Sequence, residues 1–133
     1  PPRVAALTAA FAEIPTMSDQ ASGSSVLARV FAVIESRRGG DAKKSHVAKL
    51  FARGRQKIAQ KVGEEAVETV IAAAADDRRG VVSESSDLLF HLMVLWADCG
   101  VEPDEIYAEL ARREGMSGLI EKKQRRKFKQ DME

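Results

Sequence analysis

The chain holds one cysteine, Cys99, in 133 residues. This excludes a disulfide framework within the chain and suits a reducing compartment, so a cytoplasmic location is expected. Aromatic residues make up 5%, too few for a platform on which single-stranded nucleic acid would stack. No apolar run is long enough to span a bilayer. Basic and acidic residues nearly cancel, 21 against 20, so neither nucleic acid nor membrane is expected as a partner. The sequence also lacks a Gly-x-x-x-x-Gly-Lys-Ser/Thr phosphate loop and any Cys/His cluster at zinc spacing. Ser83, Ser85 and Ser86 have no evident base-orienting partner, which argues against a serine hydrolase. Alternation of the strand type is absent throughout.

What is present reads as helix, and the fold class is all-α: antiparallel helices in a bundle completed across a dimer. The length suits one domain. Residues 1–24 form an N-terminal arm or linker, Ala-rich and apolar over 4–14 and Ser/Gly-containing afterwards. A helix over 26–37 carries Leu27, Val30, Phe31 and Ile34 on one face, with Ser24 or Ser25 as its cap. The run Arg37-Arg38-Gly39-Gly40-Asp41 ends it. Ser45 caps a shorter helix to about Ala52, which Gly54 closes in a left-handed conformation.

Two long helices follow, over about 55–75 and from Asp77 or so to about Asp98. The short link between them makes an antiparallel pair. The second is apolar on several sides, from Leu88 to Trp96, so its unused face is the expected dimer interface. Pro103 opens a further helix with Ile106, Leu110 and Ala111 inward, ending near Gly115. Six of the eight residues 122–129 are basic. Residues 124–133 are read as a solvated basic tail, and 25–123 as the domain proper.

Each long helix carries acids where a core face would be apolar. Ile58, Val62, Glu65, Thr69 and Ala72 share one stripe. Val81, Glu84, Leu88, Leu92, Leu95 and Cys99 share the other, with Asp87 and His91 flanking it and Glu68 flanking the first. An unpaired carboxylate on a buried face costs several kcal/mol. Facing stripes crowd Glu64, Glu65, Glu68, Glu84 and Asp87 together, and a divalent cation offsets both burial and repulsion. Oxygen ligands without nitrogen or sulfur suit Mg²⁺ or Mn²⁺. Pairing of the acids with Lys or Arg is the bland alternative. Gly63, inside the first long helix, costs about 1 kcal/mol relative to Ala; close approach of another backbone or a ligand is one reason for it, and plain tolerance is the bland alternative.

Glu65-x-x-Glu68 followed by Glu84-x-x-Asp87 resembles the metal motif of the all-α NTP pyrophosphohydrolases. A wider set of runs is similar to phosphoribosyl-ATP pyrophosphohydrolase: Ala48-Lys49-Leu50-Phe51-Ala52-Arg53-Gly54, Lys57-Ile58, Lys61-Val62-Gly63-Glu64-Glu65-Ala66-x-Glu68, Asp87-Leu88-Leu89-Phe90-His91 and Leu110-Ala111-Arg112-Arg113. The resemblance spans about 26–123.

It implies Mg²⁺-dependent hydrolysis of phosphoribosyl-ATP to phosphoribosyl-AMP and pyrophosphate, the second step of histidine biosynthesis. Glu65, Glu68, Glu84 and Asp87 would hold the metal, with Mn²⁺ as a possible substitute. Glu64 would be a further ligand or the base acting on water, and Glu64 and Glu65 are the catalytic candidates. Lys57 and Lys61 would face the substrate phosphates, pairing with Glu64 and Glu68 being the alternative, with Arg53 and Arg55 weaker candidates for phosphate contact. His91 would orient the Asp87 carboxylate or touch substrate. His46 stands where the family often has Tyr and is read as a surface or partly packed residue. A nucleotide-pool pyrophosphohydrolase and a non-enzymatic helical interaction module are the competing readings.

Overall fold

The computed structural model describes residues 23–116 and 118–132. The expectations placed on residues 1–22 lie outside them. Among the described residues the chain forms six helices and no strand: α1 Gly23–Ser36, α2 His46–Arg53, α3 Arg55–Ala74, α4 Arg78–Cys99, α5 Pro103–Arg113 and α6 Gly118–Asp131. The all-α class holds.

The helix boundaries follow from local chemistry. Ser24 and Ser25, expected just ahead of α1, lie within it, the helix being described from Gly23 on. Ser45 caps α2 as expected, its hydroxyl accepting the Ala48 N–H at 3.1 Å. Gly54 closes α2 by donating its N–H to Leu50 and Phe51 carbonyls, and its φ of 91° is the positive angle that favours glycine. Its ψ of 174° is extended, however, not left-handed helical, so the chain turns at once into α3. Asp77 caps α4 through the Gly80 N–H at 2.9 Å. Gly100 ends α4 in the left-handed conformation, and Val101 N–H reaches back to the Trp96 carbonyl at 2.8 Å.

The described residues up to Pro103 form one compact unit. Only three residues separate α3 from α4, so the two run antiparallel and pack along their length. Helices α1 and α2 lie against this pair. The core takes Val30, Phe31 and Ile34 from α1, Val47 and Leu50 from α2, Ile58 from α3, and Phe90, Met93, Val94 and Ala97 from α4. Each of the largest of these contributes about 1.5–3 kcal/mol by leaving water. Arg38, just past α1, ties two helix ends together. Its guanidinium donates to the Ala97 carbonyl and lies 4.9 Å from the centre of the Phe51 ring. Arg55, at the start of α3, donates to the side chain and the carbonyl of Asp98 at the end of α4, both at 2.9 Å.

Helix α4 is less evenly buried than its composition suggests. Leu88, Leu92, Leu95 and Trp96 are half-buried, and Leu89 is exposed. The large apolar side chains exposed on this pair are instead Val67, Val70 and Ile71 of α3 and Val82 and Leu89 of α4.

From Asp104 onward the residues form a second unit. Its helix α5 has acids in the first turn and arginines in the last, complementing the helix dipole. Glu109 accepts hydrogen bonds from Arg112 and Arg113, which hold its carboxyl down to about 2. Leu110 and Ala111 are exposed, contrary to the expected inner face, and only Ile106 of that trio is half-buried. Every described side chain of α6 is exposed, as a solvated basic helix requires.

Candidate metal centre

Glu65 occupies α3 between Ile58 and Ala72, on the face that packs into the domain. Its side chain is fully buried, and neither carboxylate oxygen has a hydrogen-bond partner among the described residues. The nearby Thr69 hydroxyl donates to the Glu65 main-chain carbonyl, at 2.8 Å, and leaves the carboxylate unserved. Across the helix pair, one oxygen of Glu84 is likewise buried and unpartnered. Carboxylate oxygens of Glu65, Glu84 and Asp87 all lie within 4.8 Å of one another. The antiparallel register of α3 and α4 has therefore brought together acids about twenty residues apart.

The electrostatics match that crowding. Burial, followed by the charges of Glu68, Asp87 and Glu84, pushes the Glu65 carboxyl up to about 7. Glu84 and Asp87 are raised as well, by burial first and then by Glu68. A cluster of this kind relaxes either by taking up protons or by taking up a cation. The donor set is three hard carboxylates with three orphaned oxygens and no nitrogen or sulfur, which fits a divalent ion of the Mg²⁺ or Mn²⁺ type.

The other expected site residues fall around this centre. Glu68 stands close enough for its charge to act on all three acids. Glu64 is turned away from the trio: Gln60 donates to one of its oxygens at 2.9 Å, and the Lys61 ammonium lies 3.3 Å from the other. The Gln60–Glu64 spacing of four is the signal in the sequence for this pairing. Lys57, half-buried, is one turn before Lys61 on α3. Arg53 is exposed at the last position of α2. Arg55 is engaged by Asp98, at the opposite end of α4 from the acids.

His91 is buried, with its ring edge-on to Phe90. Its Nδ1 donates to the main-chain carbonyl of Asp87 at 2.8 Å, so the ring touches that residue's backbone rather than its carboxylate. A carbonyl can only accept, which fixes the proton on Nδ1. Burial lowers the His91 pKa, and the nearby cations Lys61 and His46 lower it further. His46, at the start of α2, is thus a half-buried neighbour of the site rather than a remote surface residue. Gly63 is exposed, and a Cβ placed on it would meet nothing within 4 Å. Close approach of another described residue does not explain it.

Residues 27–114 match a family model described as phosphoribosyl-ATP pyrophosphohydrolase. Among curated relatives, a phosphoribosyl-ATP pyrophosphatase of Paramagnetospirillum magneticum is 61% identical over 107 residues, covering 80% of this chain and 98% of that protein. One from Azospirillum brasilense is 54% identical over 110 residues, covering 83% and 99%. A third, from Rhizorhabdus wittichii, is 64% identical over 94 residues, covering 71% and 89%. The matched segment contains α2 to α5 whole, and with them every acid of the cluster.

Proposed function

Because the chain belongs to the phosphoribosyl-ATP pyrophosphohydrolase family, we propose that it hydrolyses phosphoribosyl-ATP to phosphoribosyl-AMP and pyrophosphate, a step of histidine biosynthesis. The observation that carries this reading is Glu65: a fully buried carboxylate with two unserved oxygens, facing Glu84 and Asp87 inside the matched segment. A purely structural acid would have found a partner.

Glu65, Glu84 and Asp87, with Glu68 beside them, would hold Mg²⁺, and Mn²⁺ suits the same donors. When bound, such an ion neutralises polyphosphate charge and lowers the pKa of water. The chain's own residues do the rest. Lys61 and Lys57, on the flank of α3, and Arg53, at the end of α2, bring positive charge to the phosphates. Glu64 is held beside Lys61 and outside the acid trio, so it is suited to take the proton of the attacking water. The water oxygen bonds to phosphorus, the α–β anhydride breaks, and pyrophosphate leaves with the bonding pair. His91, buried and fixed in one tautomer, would position Asp87 through its main-chain carbonyl.

The domain responsible is residues 25–123, and the active form is a homodimer. A second copy would cover Val67, Val70 and Ile71, and the bare backbone at Gly63 on the same side of α3 would let another helix come close. This supports an interface on the α3 surface in addition to the Leu88–Trp96 face. No helix among the described residues is long and apolar enough to cross a membrane, and a cytoplasmic location agrees with the free thiol of Cys99.

The test is pyrophosphate release from phosphoribosyl-ATP, beside a panel of NTPs and dNTPs, with and without Mg²⁺. Strong preference for phosphoribosyl-ATP is expected. Preference for an ordinary NTP would assign the chain to nucleotide-pool cleaning instead.

A further inference from the structure

The segment between α1 and α2 is unusually cationic for so short a connection: Arg37, Arg38, Lys43 and Lys44 against Asp41. Arg38 is committed to the fold through Ala97, Phe51 and Glu35. Arg37 and Lys44 are not part of that clasp. Together with Ser36, Gly40, Asp41 and Ser45 they line a cavity of about 380 Å³. Its walls are set by the backbone. The Gly40 N–H donates to the Arg37 carbonyl at 3.0 Å, and a Cβ at Gly40 would come within 3.1 Å of that oxygen. The Asp41 carbonyl receives the Lys44 and Ser45 N–H groups, both at 3.0 Å, and its Oδ1 receives that of Lys43 at 2.9 Å. Asp41 therefore braces the turn and also lines the cavity, beside the two cations Arg37 and Lys44.

The cavity stands at the start of α2, toward the Ala97 end of α4 where Arg38 of the same loop is anchored, and α2 leads from it toward the helices that carry the acids. Ser45, on its wall, is followed directly by His46, whose charge acts on His91 together with that of Lys61. Helix α2 packs on both α3 and α4, the two helices that carry the acids. The proposed substrate has two anionic ends. Its triphosphate goes to the acid cluster, but its phosphoribosyl group adds a separate phosphate monoester that ATP lacks. An enzyme that prefers this substrate needs a built site for that group, because a pocket made for a charged group strongly rejects the analogue without it.

We infer that the cavity between α1 and α2 is the subsite for the phosphate of the phosphoribosyl group, with Arg37 and Lys44 as its cations. The inference rests on the functional reading above. It makes these two residues determinants of specificity rather than of the chemical step.

The experiment compares kcat/KM for phosphoribosyl-ATP and for its dephosphorylated analogue, ribosyl-ATP, in the wild type, Arg37→Gln, Lys44→Gln, the double variant and Lys43→Gln. Melting temperatures confirm that each variant is folded, and Arg37→Lys serves as a charge-preserving partner to Arg37→Gln. Loss of a charge-assisted contact lowers kcat/KM for phosphoribosyl-ATP by about tenfold for each cation, mainly through KM. Ribosyl-ATP stays within about twofold of wild type in every variant. Lys43, outside the cavity, changes neither, and Arg37→Lys keeps most of the discrimination. A folded double variant that discriminates as the wild type does, or that loses both substrates equally, overturns the subsite while the functional reading stands. A wild type that releases no pyrophosphate from phosphoribosyl-ATP overturns the functional reading, and this subsite with it.

Discussion

Glu65 and Ile58 lie about two turns apart on the same face of α3, and both are fully buried. The isoleucine gains from that position what any apolar side chain gains on leaving water. The glutamate is penalised by the same position unless a proton or a cation accompanies it. The fold thus holds one destabilising group at a place where its neighbours are chosen for stability.

The first expectation follows from that contrast. Glu65→Gln removes the charge, keeps the shape and abolishes turnover, yet leaves the metal-free protein at least as stable as the wild type. Measured melting curves in a chelator, beside pyrophosphate release, check both halves. A variant that melts several degrees lower without metal and still turns over substrate would mark Glu65 as structural.

The pH dependence can be signed. The Glu65 pKa in the folded state is about 7, above the ordinary value near 4.3 of an unfolded chain. The folded state therefore holds its proton more tightly, and this stabilisation is complete below the unfolded pKa and lost as pH rises through about 7. His91, with its lowered pKa, acts in the opposite sense at acid pH. Subtracting the Glu65→Gln curve isolates the glutamate: the melting advantage of the variant should grow between about pH 4.5 and 7.5 in the absence of metal. A difference that is flat across this range would contradict the burial argument.

Added Mg²⁺ should reverse the relation. An ion that binds only the folded state stabilises it by about 2.7 kcal/mol at a hundredfold excess over its dissociation constant. The wild type gains this stabilisation, and Glu65→Gln and Glu84→Gln gain less. Differential scanning calorimetry against metal concentration gives both the shift and the apparent affinity. Equal shifts in all three proteins would place the ion elsewhere.

Association can be tested on the exposed stripe. Val70→Glu is expected to convert the protein to monomer without unfolding it, because Val70 is 66% exposed within the chain. Leu95→Glu, at a residue packed against the core, is expected to lower the melting temperature as well. Sedimentation at micromolar concentration separates the two. A Val70→Glu variant that keeps the wild-type mass would move the interface off this stripe.

The long helix pair, the Ser45 cap, and the grouping of Glu65 with Glu84 and Asp87 were legible because each rests on local periodicity or on one side chain bonding a nearby backbone group. The depth of Glu65 was legible too, since its stripe is otherwise apolar. The partner of His91 was not: a spacing of four puts a side chain over the previous turn, where carbonyl and carboxylate compete, and the Asp87 carbonyl won. Leu110 was misplaced because its own helix periodicity does not say whether anything lies against that face. The Arg38 clasp was not legible because it joins residues 59 apart, a distance no pattern in the sequence measures.

Gly54 alone joins α2 to α3, and a Cβ there would have open space around it. Nothing crowds the position, yet its φ of 91° strains every residue with a handed α-carbon. The constraint is one of chirality rather than volume. Of the encoded amino acids only glycine is superimposable on its mirror image, so this junction is closed to substitution by the stereochemistry of the genetic code and not by its surroundings. The angle at which the lysines of α3 meet the start of α2 is inherited from a single achiral carbon.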